Sequence, residues 1–450
     1  QTMRAELSQD ERAAGLWYAD KLGFDQIREQ GLTGKGITIA VVDNAINLDA
    51  PELQGADIEV MGQFCRDPKT GAELPAVTDD IERRHGTDVV SMLVGNGVAG
   101  DGGPGARGIV PEAKILFYAA DSDATDEDGV KICEAYNPET GTYEKDREYD
   151  LEDLGSYPRT TGAALALGQA VEDGADVVSI SSVHGVMDST PWIAAQTMAM
   201  RAGVPIVAGT TNPVATGTIM YALPYSINGV VAVSGIDSEA KIIRGVDIFG
   251  SGPADASGSS NLAFVAPASQ ILVPSGDDGW APTLGNGTSL ATPLVAGAIA
   301  LGLEKYPAAT GFQVLQSMIR TTSGNGLADP VWNGPKYGYG IARPLDMLAV
   351  DPTQFSNENP LFIYSGDDPR CGGRGFEDCA WALMLPTSDQ LVVAETSSSE
   401  IAPEARDSWP ALAILFGGIA GLGVLSAAII VPIAVVRSKK RRASRMSGQA

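Results

Sequence analysis

The stretch that decides the fold is GNGTSLATPLVAGAIAL, residues 285–301. Small residues precede Ser289 and mostly apolar residues follow it, so the stretch predicts a long buried helix that begins at this serine. A serine at a helix start is ordinarily an N-cap. A helix start is also a favourable position for a catalytic nucleophile, because free backbone N–H groups and the positive end of the helix dipole can stabilise the oxyanion that its attack creates.

Upstream of this serine, short apolar runs alternate with segments of helical periodicity. A short apolar run bounded by turn residues is typical of a buried parallel strand. The predicted strands are ITIAVVD (37–43), AKILFYAA (113–120), DVVSISSV (176–183), VPIVAG (204–209), VVAVSGI (230–236) and NLAFVAP (261–267). The predicted helices are GAALALGQAVEDG (162–174), AAQTMAMRAG (194–203) and SLATPLVAGAIALGLEKYP (289–307). This alternation predicts an α/β fold with a doubly wound, mostly parallel sheet.

Two further residues could act with the serine. His85, one of two histidines in the chain, is followed by Gly86 and an apolar periodic run, which predicts that it begins a helix. Asp43 ends a predicted buried strand, where a carboxylate can hold an imidazole in the correct tautomer. Taken alone, His85 is more simply a cap or surface residue and Asp43 a turn residue. Together with Ser289 they follow the chain order Asp…His…Ser of a catalytic triad.

The flanking residues resemble the signature blocks of the subtilases, the subtilisin-like serine proteases. The resemblance covers residues 34–345 and rests on ITIAVVD followed by PEL, on HGT with its downstream valines, and on GTSLATPLVAG. It implies a subtilisin-like fold and peptide-bond cleavage by acyl transfer, with Asp43, His85 and Ser289 as the catalytic residues. It implies no cofactor.

The same resemblance assigns an oxyanion donor and a substrate-binding segment. PIVAGTTN (205–212) puts Asn212 in the position of the family's oxyanion asparagine, although an asparagine before a proline is otherwise a turn residue. SISSVHG (179–185) is then the strand whose edge pairs with an extended substrate. The implied substrate-binding residues are Ser181, Ser182, Val183 and Gly185. His184 lies near the cleft wall and is assigned no chemistry.

Three departures from the family pattern indicate a divergent branch. Asn44 and Ala45 follow the aspartate where the family has Ser/Thr-Gly. Pro293 is followed by Leu294 rather than histidine or tyrosine, and the oxyanion strand ends in GTTN rather than AGN. None of these departures removes a triad side chain, but they leave turnover to be tested.

A membrane anchor is predicted near the C-terminus. Residues 411–436 carry no charge, and about twenty such residues span a bilayer core as a helix. The basic run RSKKRR follows, so the positive-inside rule places residues 437–450 in the cytoplasm and the protease domain outside. The alternative is a buried core helix, but such helices are seldom apolar all round and followed by a basic cluster.

The charge of the chain excludes one class of partner. Lysine and arginine number 31 against 56 acidic residues, a net charge of −25 at pH 7, and a chain this acidic will not bind nucleic acid by counterion release. Acidic residues are dense at 121–153, which predicts an acidic insertion loop, either functional or merely solvated.

The remaining segments complete the predicted organisation. The protease domain covers residues 37–346, between an N-terminal extension at 1–36 and a C-terminal extension at 347–390, and a polar linker at 391–410 leads to the anchor. The polar opening shows no signal peptide, so we expect a mature or trimmed form of an exported chain.

Four cysteines in an oxidising compartment predict two disulfides. Cys371 and Cys379 enclose only GGRGFED and are expected to form a local clip, which leaves Cys65 with Cys133. The cysteine spacings match no zinc pattern, and no DxDxDG-like loop is present, so no metal is predicted.

The whole arrangement resembles the mycosins, membrane-anchored subtilases that accompany type VII secretion systems of actinobacteria. The features that carry this resemblance are the anchor, the N-terminal extension, the insertion, the extra disulfides and YGYGIARPLDML (337–348). It implies processing of exported proteins beside a membrane secretion complex. The alternative is a structural cap or docking subunit of that complex with weak or dispensable proteolysis. A degradative surface protease is a third, less favoured, interpretation.

Overall fold

The computed structural model describes residues 6–66, 74–120, 134–137, 142–145, 162–184, 190–212, 223–246, 253–255, 261–276 and 279–373. These residues belong to one compact unit. Among the helices within these ranges, none combines the length and the hydropathy that a bilayer span needs. Most of the predicted acidic insertion, the linker, the predicted anchor at 411–436 and the basic tail lie outside the described residues.

Seventeen strands and nine α-helices occur in this part of the chain. The strands are β1 (Thr38–Asp43), β2 (Ile58–Gln63), β3 (Cys65–Arg66), β4 (Asn96–Val98), β5 (Pro104–Arg107), β6 (Lys114–Ala119), β7 (Glu134–Asn137), β8 (Thr142–Lys145), β9 (Val177–Ile180), β10 (Ile206–Gly209), β11 (Val231–Ile236), β12 (Arg244–Val246), β13 (Pro253–Asp255), β14 (Leu262–Pro267), β15 (Ser269–Val273), β16 (Thr283–Asn286) and β17 (Gly340–Ile341). The helices are α1 (Gln9–Ala14), α2 (Trp17–Leu22), α3 (Phe24–Glu29), α4 (His85–Val94), α5 (Gly162–Glu172), α6 (Thr190–Ala202), α7 (Thr288–Lys305), α8 (Gly311–Arg320) and α9 (Pro344–Leu348).

The central sheet has eight strands in the order β17-β14-β11-β10-β9-β1-β6-β2. Every neighbouring pair in it is parallel. The predicted α/β fold with a doubly wound parallel sheet is therefore confirmed. After β1 the chain forms β2 at one edge and then β6 between these two strands, and it then builds outward on the other side of β1 through β9, β10, β11 and β14. The strand order therefore reverses between β1 and β9, where open α/β sheets bind their ligands beyond the carboxyl ends of the strands.

Two apolar cores lie on opposite faces of this sheet because successive side chains of each strand point to opposite faces. Val41 of β1 belongs to the core that contains α4 and α7, whereas Val42 belongs to the core that contains α5 and α6. Helix α7 is buried continuously from Thr288 to Gly302. It lies on β9, β10, β11 and β14, which explains why its sequence is apolar on all sides.

Segments before and after the sheet pack onto the same unit. The Tyr18 hydroxyl, buried in α2, donates to the Arg107 carbonyl at 2.8 Å and accepts from the Arg107 N–H at 2.9 Å. On the C-terminal side, Asn228 exchanges two hydrogen bonds with the backbone of Ile363, at 3.0 and 2.8 Å. Both extensions therefore contribute to the packed structure.

The predicted disulfides fall partly within the described chain. Cys65 and Cys371 are each disulfide-bonded, whereas Cys133 and Cys379 lie outside the described residues. Strand β3 pairs with β7, whose first residue directly follows Cys133 in sequence. Both pairings stay predictions.

Candidate active site

A buried carboxylate and an imidazole meet where β1 ends. Asp43 is 1% exposed, and its Oδ1 lies 2.8 Å from Nδ1 of His85. The same oxygen accepts the Asn44 backbone N–H at 2.8 Å. The imidazole is 41% exposed, so its Nδ1 faces a buried carboxylate while the ring reaches solvent. This geometry orients a histidine so that Nε2 can accept a proton.

The start of α4 is locked to the end of β1, which fixes the position of His85. The Asn44 side-chain oxygen accepts the N–H of Ala45 at 2.6 Å and that of Gly86 at 3.1 Å. A Cβ at Gly86 would lie 2.3 Å from the Ala45 carbonyl oxygen, so only glycine allows this approach. Asn44, a departure from the family pattern, therefore joins the strand to the helix, a role that the sequence did not indicate.

Ser289 is the second residue of α7, because the helix begins one residue earlier than the sequence predicted. The helix begins at Thr288, and Gly287 occupies the N-cap position. The N-cap interpretation of Ser289 is therefore wrong, because the preceding GNG turn enters the helix one residue earlier. Ser289 is 9% exposed, and its hydroxyl stays within the first turn, where backbone N–H groups have no intrahelical acceptor.

Ser289 lies beside the carboxyl ends of β1 and β9. Its hydroxyl donates to the Ser181 carbonyl at 3.3 Å, and the Ser181 hydroxyl donates to the Ser289 carbonyl at 3.0 Å. Val42 and Ile180 are register partners, so Asp43 and Ser181 each directly follow a paired position. The register thus places Asp43 beside Ser181, the residue that the Ser289 hydroxyl contacts, and the triad of the three side chains stays a prediction.

Asn212 lies at the N-terminus of α7, next to the serine. Its Oδ1 accepts the Thr288 N–H at 2.8 Å and the Thr288 hydroxyl at 3.2 Å. With Oδ1 engaged in this way, the amide nitrogen is the group left to donate to a substrate. This placement is what an oxyanion donor requires, and the role stays a prediction.

The predicted substrate-binding segment differs from its expected structure. Strand β9 ends at Ile180 and pairs with β1 on one side and β10 on the other, so it has no free edge. The predicted strand over 179–185 is therefore wrong beyond Ile180, because the polar residues that follow turn toward other partners. Ser182 Oγ lies 2.9 Å from His184 Nε2, and His184 bridges to Leu223 through two backbone hydrogen bonds.

Only the residues that follow β9 are left to meet a substrate. Ser181 is buried, Ser182 half-buried and Val183 exposed. Gly185 lies outside the described residues.

A second buried carboxylate, which sequence reasoning missed, lies on α4. Asp88 is 9% exposed, and its Oδ1 accepts the Ser275 hydroxyl at 2.7 Å. Burial raises the pKa of Asp88 to about 7, against the lowering effects of the Ser275 hydrogen bond, His85 and Arg84. The available signal was a carboxylate inside the apolar run HGTDVVSMLV. In the described part of the chain, no cluster of three or more acidic, histidine or cysteine side chains could hold a metal ion.

Comparisons with known proteins identify a family and relatives that the chain resembles. The Subtilase family profile matches residues 34–340. Fervidolysin of Fervidobacterium pennivorans is 26% identical over 363 residues, 76% of this chain and 45% of the relative. The chain thus spans about half the length of that relative. Subtilisin DY of Bacillus licheniformis is 25% identical over 307 residues, 67% of this chain and 89% of the relative.

Solved mycosin structures share the fold. The crystal structure of MycP1 from Mycobacterium smegmatis has a TM-score of 0.54 at 18% identity, covering 77% of this chain and 88% of that chain. The MycP3 protease from the type VII (ESX-3) secretion system has a TM-score of 0.50 at 20% identity, covering 74% and 87%. At these identities the likeness is one of fold.

Proposed function

The chain belongs to the subtilase family of serine endopeptidases, and from this premise we propose that it is a membrane-anchored endopeptidase that cleaves exported polypeptides beside a type VII secretion complex. The 2.8 Å contact between Asp43 and His85 at the switch point of the sheet carries the catalytic part of this proposal. Membership of the subtilase family supports the proposed type of reaction, which is peptide hydrolysis.

The proposed mechanism is acyl transfer. His85 Nε2 takes the proton of the Ser289 hydroxyl as this oxygen attacks the scissile carbonyl, and Asp43 stabilises the imidazolium. The Asn212 amide and the Ser289 N–H hold the tetrahedral oxyanion, and removal of one such donor costs about 10²–10³ in rate. His85 then gives the proton to the leaving amine, and water releases the acyl-enzyme.

The substrate is an extended polypeptide that lies against residues 181–183. These residues follow β9 directly, and the side chain of Val183 is exposed beside two serines. Backbone atoms released from the ladder can pair with an incoming strand. The neighbouring bridge between His184 and Leu223 limits how far such pairing can extend.

The membrane part of the proposal rests on the sequence. The uncharged segment at 411–436 and the basic tail favour a single span with the protease domain outside the cytoplasm. The secretion partner rests on the resemblance to mycosins, whose solved structures, MycP3 of a type VII system among them, share the fold.

Labelling of the full chain in detergent micelles with a fluorophosphonate probe tests the catalytic proposal. We expect the natural protein to be labelled, Ser289→Ala and His85→Ala to lose labelling, and the exposed Ser323→Ala control to keep it. Labelling that persists in Ser289→Ala would contradict the assignment of the nucleophile.

A structural role in the secretion complex is the second candidate. The observation that favours it is the divergent Asn44, which replaces the family's small hydroxyl residue and joins β1 to α4. Secretion restored in a deletion strain by the Ser289→Ala chain would favour this role, whereas secretion that stays lost would favour proteolysis.

A further inference from the structure

Asp88 is a buried carboxylate on the same helix as the proposed general base. It follows His85 by three residues on α4, and side chains at that spacing are neighbours on one helix face. Its Oδ1 accepts the Ser275 hydroxyl at 2.7 Å, and Ser275 comes from the segment after β15. A carboxylate is costly in such a position unless it is paired.

The charges that act on Asp88 come from two elements. His85 and Arg84 lie on or next to α4, and Asp43 ends β1, whereas the segment after β15 contributes the neutral Ser275 hydroxyl. Helix α4 also packs against α7, which carries no charged residue from Thr288 to Gly302.

Glu52 and Arg107 lie near the C-terminal end of α4, since Arg107 is the register partner of Asn96 and Glu52 lies against Gly105 in the same strand. Arg107 pairs there with Asp25 at 2.6 Å. Glu52 is acted on by the charges of Arg12 and Asp101. Of the two cations in the described chain that act on Asp88, His85 and Arg84, the histidine is therefore the one that titrates near neutral pH.

We propose that Asp88 is a positioning residue for His85, a second carboxylate that stabilises the imidazolium across one turn of α4 while Asp43 holds Nδ1 directly. This inference rests on the proposed function, in which His85 is the base that must carry a proton during the reaction. A negative charge near the imidazole favours its protonated form. The two groups then titrate as a coupled pair.

The expected effect is a change in the titration of His85. Two unit charges roughly 6–8 Å apart, at an effective dielectric constant near 20, interact strongly enough to move the midpoint of the His85 titration. Because solvent screens the exposed imidazole, the expected shift of this midpoint is about one pH unit. Asp88→Asn removes the charge, so the midpoint of the His85 titration falls by that amount.

The experiment is NMR titration of histidine labelled with ¹³C at ε1, in the full chain carrying Ser289→Ala. The chain has only two histidines, so two signals are expected, and His85→Ala identifies the one under study. Asp88→Asn is compared with Asp20→Asn, which removes an exposed carboxylate and the same charge. We expect a downward shift of about one pH unit for Asp88→Asn and none for Asp20→Asn.

Ser275→Ala keeps the test decisive should Asp88→Asn fail to fold. It removes the hydroxyl that stabilises the carboxylate, so Asp88 is less ionised while His85 titrates, and the midpoint shifts in the same direction by less. A His85 midpoint that is unchanged in both folded variants would overturn the proposal. Because this readout needs no turnover, it is independent of fluorophosphonate labelling, whose absence would overturn the proposed function alone.

Discussion

Replacement of Asp88 by asparagine is expected to stabilise the folded protein, and the gain should increase with pH. Asparagine keeps the shape of the side chain and an oxygen that can accept the Ser275 hydroxyl. It removes a charge that the folded protein holds in a buried position. The variant therefore isolates the cost of ionising Asp88 inside the protein.

The magnitude follows from the shift in pKa. Burial raises the pKa of Asp88 to about 7 in the folded protein, against about 3.9 for an unperturbed aspartate. The folded pKa is the higher one, so the contribution of Asp88 to stability is present below about pH 4 and is lost as the pH rises to about 7. Three pKa units correspond to about 4 kcal/mol, so Asp88→Asn should be more stable by roughly that amount above pH 7.

Thermal unfolding of the full chain, followed by near-ultraviolet circular dichroism, measures this difference. At pH 9 we expect Asp88→Asn to unfold about 5 °C above the natural protein, with a smaller gap at pH 5. The Asp20→Asn control should show no pH-dependent gain. An Asp88→Asn variant less stable at pH 9 would refute the reasoning, since it would mean that the ionised carboxylate is well compensated.

Three further substitutions test the site itself. Asp43→Asn should lower kcat for peptide hydrolysis by about 10⁴ because the amide favours the wrong tautomer of His85, and an unchanged kcat would contradict its role. Asn212→Leu should lower kcat by about 10²–10³, whereas a change confined to KM would exclude it as an oxyanion donor. Gly86→Ala adds a Cβ 2.3 Å from a backbone carbonyl and should lose activity and roughly 1–3 kcal/mol of stability. Its matched control, Gly168→Ala, meets nothing nearer than 3.9 Å and should keep both; equal behaviour of the two variants would refute the packing argument.

The sheet was predictable because its central strands are buried on both faces. Each of β1, β6, β9, β10, β11 and β14 corresponds to an apolar run that the sequence shows directly. The edge strand β2 was missed because its residues are only half-buried and include Glu59 and Gln63, so no apolar run marks it. The two-residue strand β17 depends wholly on its pairing with β14. Local patterns do not carry that information.

The site was predictable where local structure fixes it. The sequence pattern predicted Asp43 at the end of a strand and His85 at the start of a helix. Parallel strands bring residues at their carboxyl ends to the same edge of the sheet. The end of β9 was not predictable, because Ser181 leaves the ladder for a contact with Ser289, 108 residues away. The contact of Ser275 with Asp88 spans 187 residues and was equally hidden.

Asp88 breaks a local rule, since a carboxylate inside the buried face of α4 lowers stability at neutral pH, and the titration of His85 distinguishes its two roles. If Asp88 only supported the fold through Ser275, Asp88→Asn would keep that acceptor, raise stability above pH 7 and leave the His85 titration unchanged. If it serves His85, Asp88→Asn should raise stability above pH 7 and lower the midpoint of the His85 titration. About 4 kcal/mol is a large share of the 5–15 kcal/mol that stabilises a typical domain. Sites where a sequence departs from the rules of folding are often functional, and a lowered His85 midpoint in a variant that is more stable would establish that Asp88 is one of them.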